Sequence, residues 1–215
     1  MTQDPTSNIE AAFSRGGMTE AREQKQTGGR LIVISGPSGV GKSTITKEVV
    51  RRLDDAYFSV SMTTRPQAAG EQSGREYWFV SEEEFRRRID EGLLLEYAEV
   101  FGNLYGTPRD KTDDALRAGK TVILEIDVQG ARQIKGAYPE AVLVFILPPS
   151  DKVLAERIGG RARESREVIE RRLAGAAAEI AAAWQYYDSM VVNDDLEQAI
   201  GDVIEIIQNA PQIEV

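Results

Sequence analysis

The chain contains no cysteine and no histidine. The first absence excludes disulfides, thiolate zinc centres and cysteine nucleophiles. The second removes the commonest general base and the commonest metal ligand. Chemistry must therefore rest on carboxylates, lysine, arginine, hydroxyls and bound metal. No apolar run approaches the ~18 residues of a membrane span. The N-terminus also lacks the apolar stretch of a secretory signal, so a soluble, cytoplasmic protein is expected. The net charge is −9, which disfavours broad nucleic-acid binding. With 41% hydrophobic residues in 215, the chain can bury a sizeable core.

What is present is organised around residues 36–44, Gly-Pro-Ser-Gly-Val-Gly-Lys-Ser-Thr. The β-branched run Leu31-Ile32-Val33-Ile34 before it reads as a strand buried on both faces. Ile45, Val49 and Leu53 after it recur at helical spacing. Strand, glycine loop and helix in this order make a phosphate loop. Gly36, Pro37, Ser38, Gly39, Val40, Gly41, Lys42, Ser43 and Thr44 would cradle a nucleotide's phosphates. Lys42 would reach the β- and γ-phosphates, and the Ser43 hydroxyl would ligate Mg²⁺. Lys42 is expected to face solvent in the empty loop.

Along the rest of the chain, residues 1–29 are polar and punctuated by glycine pairs, and read as a flexible extension. Residues 57–61 read as a second core strand, and residues 77–80 as an aromatic-rich one. Ser81 and Glu84 form a capping box for the helix that follows. Residues 93–100 read as a strand and 101–106 as a turn. Helix 110–117, strand 121–126 and strand 141–147 then resume an α/β pattern, with Glu125 and Asp127 at a strand's C-terminal end, where parallel sheets bind ligands. A long helix is expected to bury Ile169, Leu173, Ala176, Ile180 and Trp184. A last strand at 190–192 and a helix from Leu196 close the chain. The fold expected is α/β, a parallel sheet covered by helices on both faces.

Arg157, Arg161, Arg163, Arg166, Arg171 and Arg172 crowd residues 157–172 without a lysine. Such a run can be a solvated face paired with Glu164, Glu167 and Glu170. Arginine to the exclusion of lysine instead favours bidentate phosphate contacts, and Gly159-Gly160 interrupts the helix as a moving segment needs.

From about Gly29 to Asn209 the chain resembles guanylate kinases. The resemblance is carried by GPSGVGKST at 36–44, SVSMTTR at 59–65, GREYWFVS at 74–81, Leu95-Glu96-Tyr97-Ala98 and FGNLYGT at 101–107. LEIDVQG at 124–130, Arg157 with Arg161, Arg171-Arg172-Leu173 and VVNDD at 191–195 complete it. The resemblance implies a P-loop kinase core (30–60, 108–149 and 173–215), an inserted β-rich GMP-binding region (61–107) and a mobile Arg-rich lid (150–172). It implies the reaction ATP + GMP → ADP + GDP with Mg²⁺, and dGMP as a second acceptor. By position, Ser61, Arg65, Tyr77 and Tyr105 would hold the GMP phosphate, and Glu96, Thr107 and Asp127 would read guanine. Lys42, Arg65, Arg157, Arg161 and Arg172 would be the catalytic cations.

A carboxylate suits guanine, which presents N1–H and the N2 amine side by side, whereas adenine presents an acceptor at N1. The Thr107 hydroxyl can donate to O6. Related domains in scaffold proteins bind phosphopeptides without catalysis, and typically lose the loop lysine or lid arginines that this chain keeps. One departure stands out. The family's R-x-P-R-x-G-E loop reads Arg65-Pro66-Gln67-Ala68-Ala69-Gly70-Glu71 here, with Ala68 where a second arginine is usual and Arg75 the nearest substitute. The expected partners are the small molecules GMP and ATP, with no nucleic acid and no membrane. Both a monomer and a homo-oligomer fit.

Overall fold

A computed structural model describes residues 28–100, 102–159 and 166–213, the side chains of residues 166–169 and 171 excepted. The extension read over residues 1–29 thus falls, up to residue 27, outside the described residues, as does Arg161.

The chain opens on β1 (Arg30–Ser35), the phosphate loop and α1 (Lys42–Arg52). β2 (Ala56–Phe58), β3 (Met62–Thr63), β4 (Trp78–Phe79), α2 (Glu82–Asp90), β5 (Leu94–Val100) and β6 (Asn103–Pro108) follow. Next come α3 (Arg109–Arg117), β7 (Thr121–Glu125), α4 (Val128–Ala137), β8 (Val142–Leu147) and α5 (Asp151–Gly159). α6 (Arg166–Tyr186), β9 (Ser189–Val192) and α7 (Leu196–Gln208) complete the order.

Five strands pair in parallel in the order β2-β7-β1-β8-β9. In β1, Ile32 and Ile34 point to one face and Leu31 and Val33 to the other, and all four are buried. The first face packs on α1 and α7 through Ile45, Val49, Val203 and Ile207. The second packs on α3 and α4 through Leu116, Ala131 and Ile134. Covering on both faces is why the central strands are unbroken apolar runs and not alternating ones. Among the described residues no helix is long and apolar enough to cross a membrane.

A second, smaller sheet, β4-β3-β6-β5, is mostly antiparallel and carries its own core of Met62, Phe85 and Leu94. Gln133 of α4 ties it to the main layer, accepting from Tyr97 N–H at 3.2 Å and donating to Tyr97 O at 2.7 Å.

Four expectations need correction. The core strand expected over residues 57–61 stops at Phe58, because the chain leaves the parallel sheet to enter the second one. Residues 103–106, expected as part of a turn, lie in β6, which pairs with both β3 and β5, while Gly102, at φ 77°, keeps turn geometry. Helix α4 was not expected, since Gly130 and Gly136 weaken its pattern; Asp127 caps it by accepting from Gly130 N–H at 2.9 Å. On α6 the buried positions are Ala176 and Ala183, which leaves Trp184 66% exposed.

Phe85 is fully buried beneath the second sheet. Phe85→Ala should cost about 3–5 kcal/mol, the usual range for an emptied aromatic site. Chemical denaturation monitored by far-UV circular dichroism measures the loss.

Candidate active site

The phosphate loop is fastened from beneath. Val40 is fully buried in the main core. Its carbonyl accepts from Asn193 Nδ2 at 2.7 Å and from Arg157 Nη1 at 3.3 Å. Gly41, at φ 104°, caps α1 without a side-chain bond, which leaves the N–H groups of Lys42 and Ser43 at the helix start open to an anion. Lys42 does not face solvent as expected. Its ammonium donates to the carbonyls of Gly36 and Pro37, and burial lowers its pKa against the opposing charges of Glu125, Glu179 and Asp127. Ser43 Oγ donates to Glu125 Oε1 at 2.6 Å. Arg172 Nη2 donates to Ser38 Oγ at 2.6 Å.

A cavity of about 310 Å³ opens beside the loop. Gly36, Ser38 and Lys42 line it on the loop side, with Glu96 and Tyr105 of the second sheet and Ser61 and Tyr77, each next to one of its strands. Glu125, Asp127 and Glu179 close it. Arg65 stands outside this lining. It is paired to Glu71 at 2.7 Å and stacks on Tyr77 and Phe79, with centroids 5.3 and 5.5 Å away. Arg75, the nearest substitute for the missing loop arginine, donates to Glu76 at 2.6 Å and to Gly70 O at 3.1 Å, away from the cavity. A second cavity of about 320 Å³ lies across the loop, between Gly39–Thr44 and Arg157, Asn193, Asp194 and Leu196. Pro37, Ser43 and Thr44 border a smaller space within the loop itself.

Glu96 is a buried carboxylate. It is 3% exposed, with no cation against it among the described residues. A register shift between Leu94 and Glu96 turns the carboxylate inward, a common use of a β-bulge. The register then sets Thr107 opposite, and its hydroxyl donates to Glu96 Oε1 at 2.6 Å. Thr107, expected to meet a ligand directly, is itself fully buried and spends its proton on Glu96. Gly130 completes the niche: a Cβ there would collide with Glu96 Oε2. Burial raises the Glu96 pKa to about 7, with the Asp127 charge adding to the rise and the Thr107 bond resisting it.

Residues 28–210 match the guanylate kinase family model. The chain belongs to the guanylate kinase family. It is 48% identical over 187 residues to a guanylate kinase of Synechocystis sp., covering 87% of this chain and 97% of that one. It is 50% identical over 183 residues to the guanylate kinase of Thermosynechococcus vestitus, covering 85% and 94%. The crystal structure of guanylate kinase from Anaplasma phagocytophilum superposes with a TM-score of 0.71 at 36% identity, over 85% of this chain and 86% of that one.

Of the site residues expected from sequence, Gly36, Ser38, Lys42, Ser61, Tyr77, Glu96, Tyr105 and Asp127 meet in one cavity. Glu179 and the Asn193–Leu196 segment were missed. The only sequence signal for Glu179 is its spacing of two helical turns from Arg172 in an alanine-rich helix.

The raised Glu96 pKa makes a stability prediction. Below the unfolded value of 4.5 the group is protonated in both states and contributes nothing. From there to about 7 the folded protein holds a proton that the unfolded chain has released, so stability falls as pH rises. Above that window the cost is on the order of 3 kcal/mol. Glu96→Gln escapes it. The variant should melt higher than the wild type at pH 8 and alike at pH 4, as read by calorimetry at both values.

Proposed function

We propose that this chain catalyses ATP + GMP → ADP + GDP, with the roles below. The observation that carries the reading is that one cavity holds both the phosphate-loop lysine and a buried, inward-turned carboxylate with no cationic partner among the described residues. Such a carboxylate costs stability and finds its compensation in a ligand with adjacent donors. Guanine's N1–H and N2 amine are that ligand, with Glu96 accepting from both and Asp127 beside it. Thr107 acts first by orienting Glu96; once guanine supplies donors there, its hydroxyl can turn to O6.

Ser61, Tyr77 and Tyr105 hold the acceptor phosphate, with Arg65 brought in from its pair with Glu71. The second cavity takes the donor's base against Arg157 and Leu196. On the donor phosphates, Lys42 leaves the Gly36 and Pro37 carbonyls and, with Arg157, Arg172 and Arg161, offsets the repulsion between the two substrates. The attacking oxygen is already anionic, so no general base is needed, and the lack of histidine is no handicap. The lid role of residues 150–172 serves to exclude water that would hydrolyse ATP.

The donor set suits Mg²⁺: the Ser43 hydroxyl and the Glu125 carboxylate, 2.6 Å apart, are hard oxygen ligands. Mg²⁺ takes few protein ligands beside phosphates and water, and no group of three or more acidic side chains stands close enough to hold a metal ion among the described residues. When bound it would neutralise charge on the donor phosphates.

Lys42→Met should lower kcat roughly a hundred- to a thousandfold, as for other electrostatic stabilisers of a transition state. Circular dichroism should stay normal, since the lysine bonds only loop carbonyls. A coupled ADP-release assay with GMP, AMP and UMP measures it, and tests the acceptor in the same run. Turnover of AMP or UMP in preference to GMP would overturn the function. At Ala68, Ala68→Arg should lower the apparent GMP constant about tenfold, the weight of one charged phosphate bond. Arg75→Ala should leave that constant unchanged, because its guanidinium is directed at Glu76 and Gly70.

A further inference from the structure

Four carboxylates, of Glu96, Glu125, Asp127 and Glu179, line a cavity that has to admit phosphate esters. Three of them are engaged. Glu96 accepts from Thr107, Glu125 from Ser43, and Asp127 from Gly130 N–H and from Gln129 Nε2 at 3.0 Å. Glu179 accepts from no donor among the described residues. Nor is it in an ion pair there: Lys42 acts on it through charge, but the ammonium is bonded to its own loop. A half-buried carboxylate left in this way repels phosphate and is offset only by the nearby charge of Lys42, without a hydrogen bond. A hydrogen-bond donor that arrives with the ligand would satisfy it.

We propose that Glu179 accepts a hydrogen bond from a sugar hydroxyl of the acceptor nucleotide. The proposal rests on the reading of this cavity as the GMP site. A carboxylate can only accept. A guanine nucleotide offers donors on its base and on its sugar, and none on an ionised phosphate. The base donors are already met by Glu96 and Asp127, which leaves the two sugar hydroxyls.

The placement agrees. Arg172, Ala176, Glu179 and Ala183 follow at helical spacing on one face of α6. Ala176 is 3% exposed and Ala183 is fully buried, so small side chains seat this face close to the core. Arg172 at one end reaches Ser38 of the phosphate loop. Glu179 stands about 10 Å further along the axis. Lys42 of the phosphate loop and Asp127, assigned to the base, both act on it through charge, and all three line the one cavity. A side chain in reach of the phosphate end and of the base end alike is placed for the sugar of a nucleotide spanning the two.

The test compares GMP with an analogue lacking both sugar hydroxyls, at saturating ATP. Wild-type turnover of GMP is measured first and tests the function itself, independently of Glu179. In the wild type, kcat/KM should fall about tenfold on the analogue, the weight of one charge-assisted hydrogen bond. In Glu179→Ala the two substrates should be used equally well, with KM for GMP raised about tenfold and KM for ATP unchanged. Glu179→Gln keeps the shape and one acceptor oxygen, so it should fall between the two and serves if the alanine variant folds poorly. Two results would overturn the proposal. One is a preference for GMP over the analogue that survives in Glu179→Ala. The other is a loss confined to kcat with that preference intact, which would assign the carboxylate to Lys42 instead.

Discussion

The site depends on burying one carboxylate without a cation. An ionised group in a low-dielectric niche is unfavourable by several kcal/mol unless something hydrogen-bonds to it. Three separate parts of the chain are arranged around that constraint at Glu96. The irregular register of β5 and β6 turns the side chain inward. Thr107 supplies one donor from the facing strand. Gly130, at the start of α4, supplies space. A methyl group at Gly130 or a regular strand at Leu94 would each displace the carboxylate. The incomplete satisfaction that remains, expressed in the raised pKa, is what a guanine ring can relieve.

The same logic organises the phosphate side with the sign reversed. Lys42 is a half-buried cation whose present partners are neutral carbonyls of its own loop. Around it stand three carboxylates, each on a different element: Glu125 at the end of β7, Asp127 at the N-terminus of α4 and Glu179 on α6. The parallel sheet brings these ends together because β1 and β7 are neighbours in register, Ile34 beside Glu125. The topology, and not any local motif, is therefore what sets an acidic rim against a basic loop.

How much of this was legible in the sequence follows from how local each feature is. The β1–loop–α1 unit is determined by consecutive residues, a β-branched run followed by fixed glycines and a helical repeat, and it could be read directly. So could the Ser81 cap, whose hydroxyl accepts from Glu84 N–H at 3.2 Å. β6 was not legible, because Asn103 and Gly106 favour turns and only pairing with β3 and β5 makes them a strand. Gly106 sits there because a Cβ at that position would lie 2.9 Å from the Glu96 carbonyl of the paired strand and 3.1 Å from the Phe85 ring. Helix α4 was hidden for a related reason: the glycine that weakens its pattern is the one that makes room for Glu96. Resemblance to a family supplied the site residues that spacing alone could not, and it was silent on Glu179.

The absence of histidine, which first narrowed the chemistry, also fits the site's energetics. A phosphoryl acceptor that is already anionic needs no base, but it must be brought to a second polyanion. The work is then electrostatic, and it has to be divided so that neither substrate is repelled before both are present. Cations tethered to protein oxygens answer that requirement. Arg65 is held by Glu71, Arg172 by Ser38, and Lys42 by two carbonyls. None of these partners is as strong an acceptor as a phosphate dianion, except the carboxylate of Glu71, whose side chain is partly exposed to water. Each cation can therefore be drawn off by the substrate it serves, while in the empty site it is kept from collapsing onto the acidic rim. The restraint on the cations and the strain on Glu96 are thus complementary: binding GMP and ATP relieves both, and a site so built gains most when both nucleotides are in place.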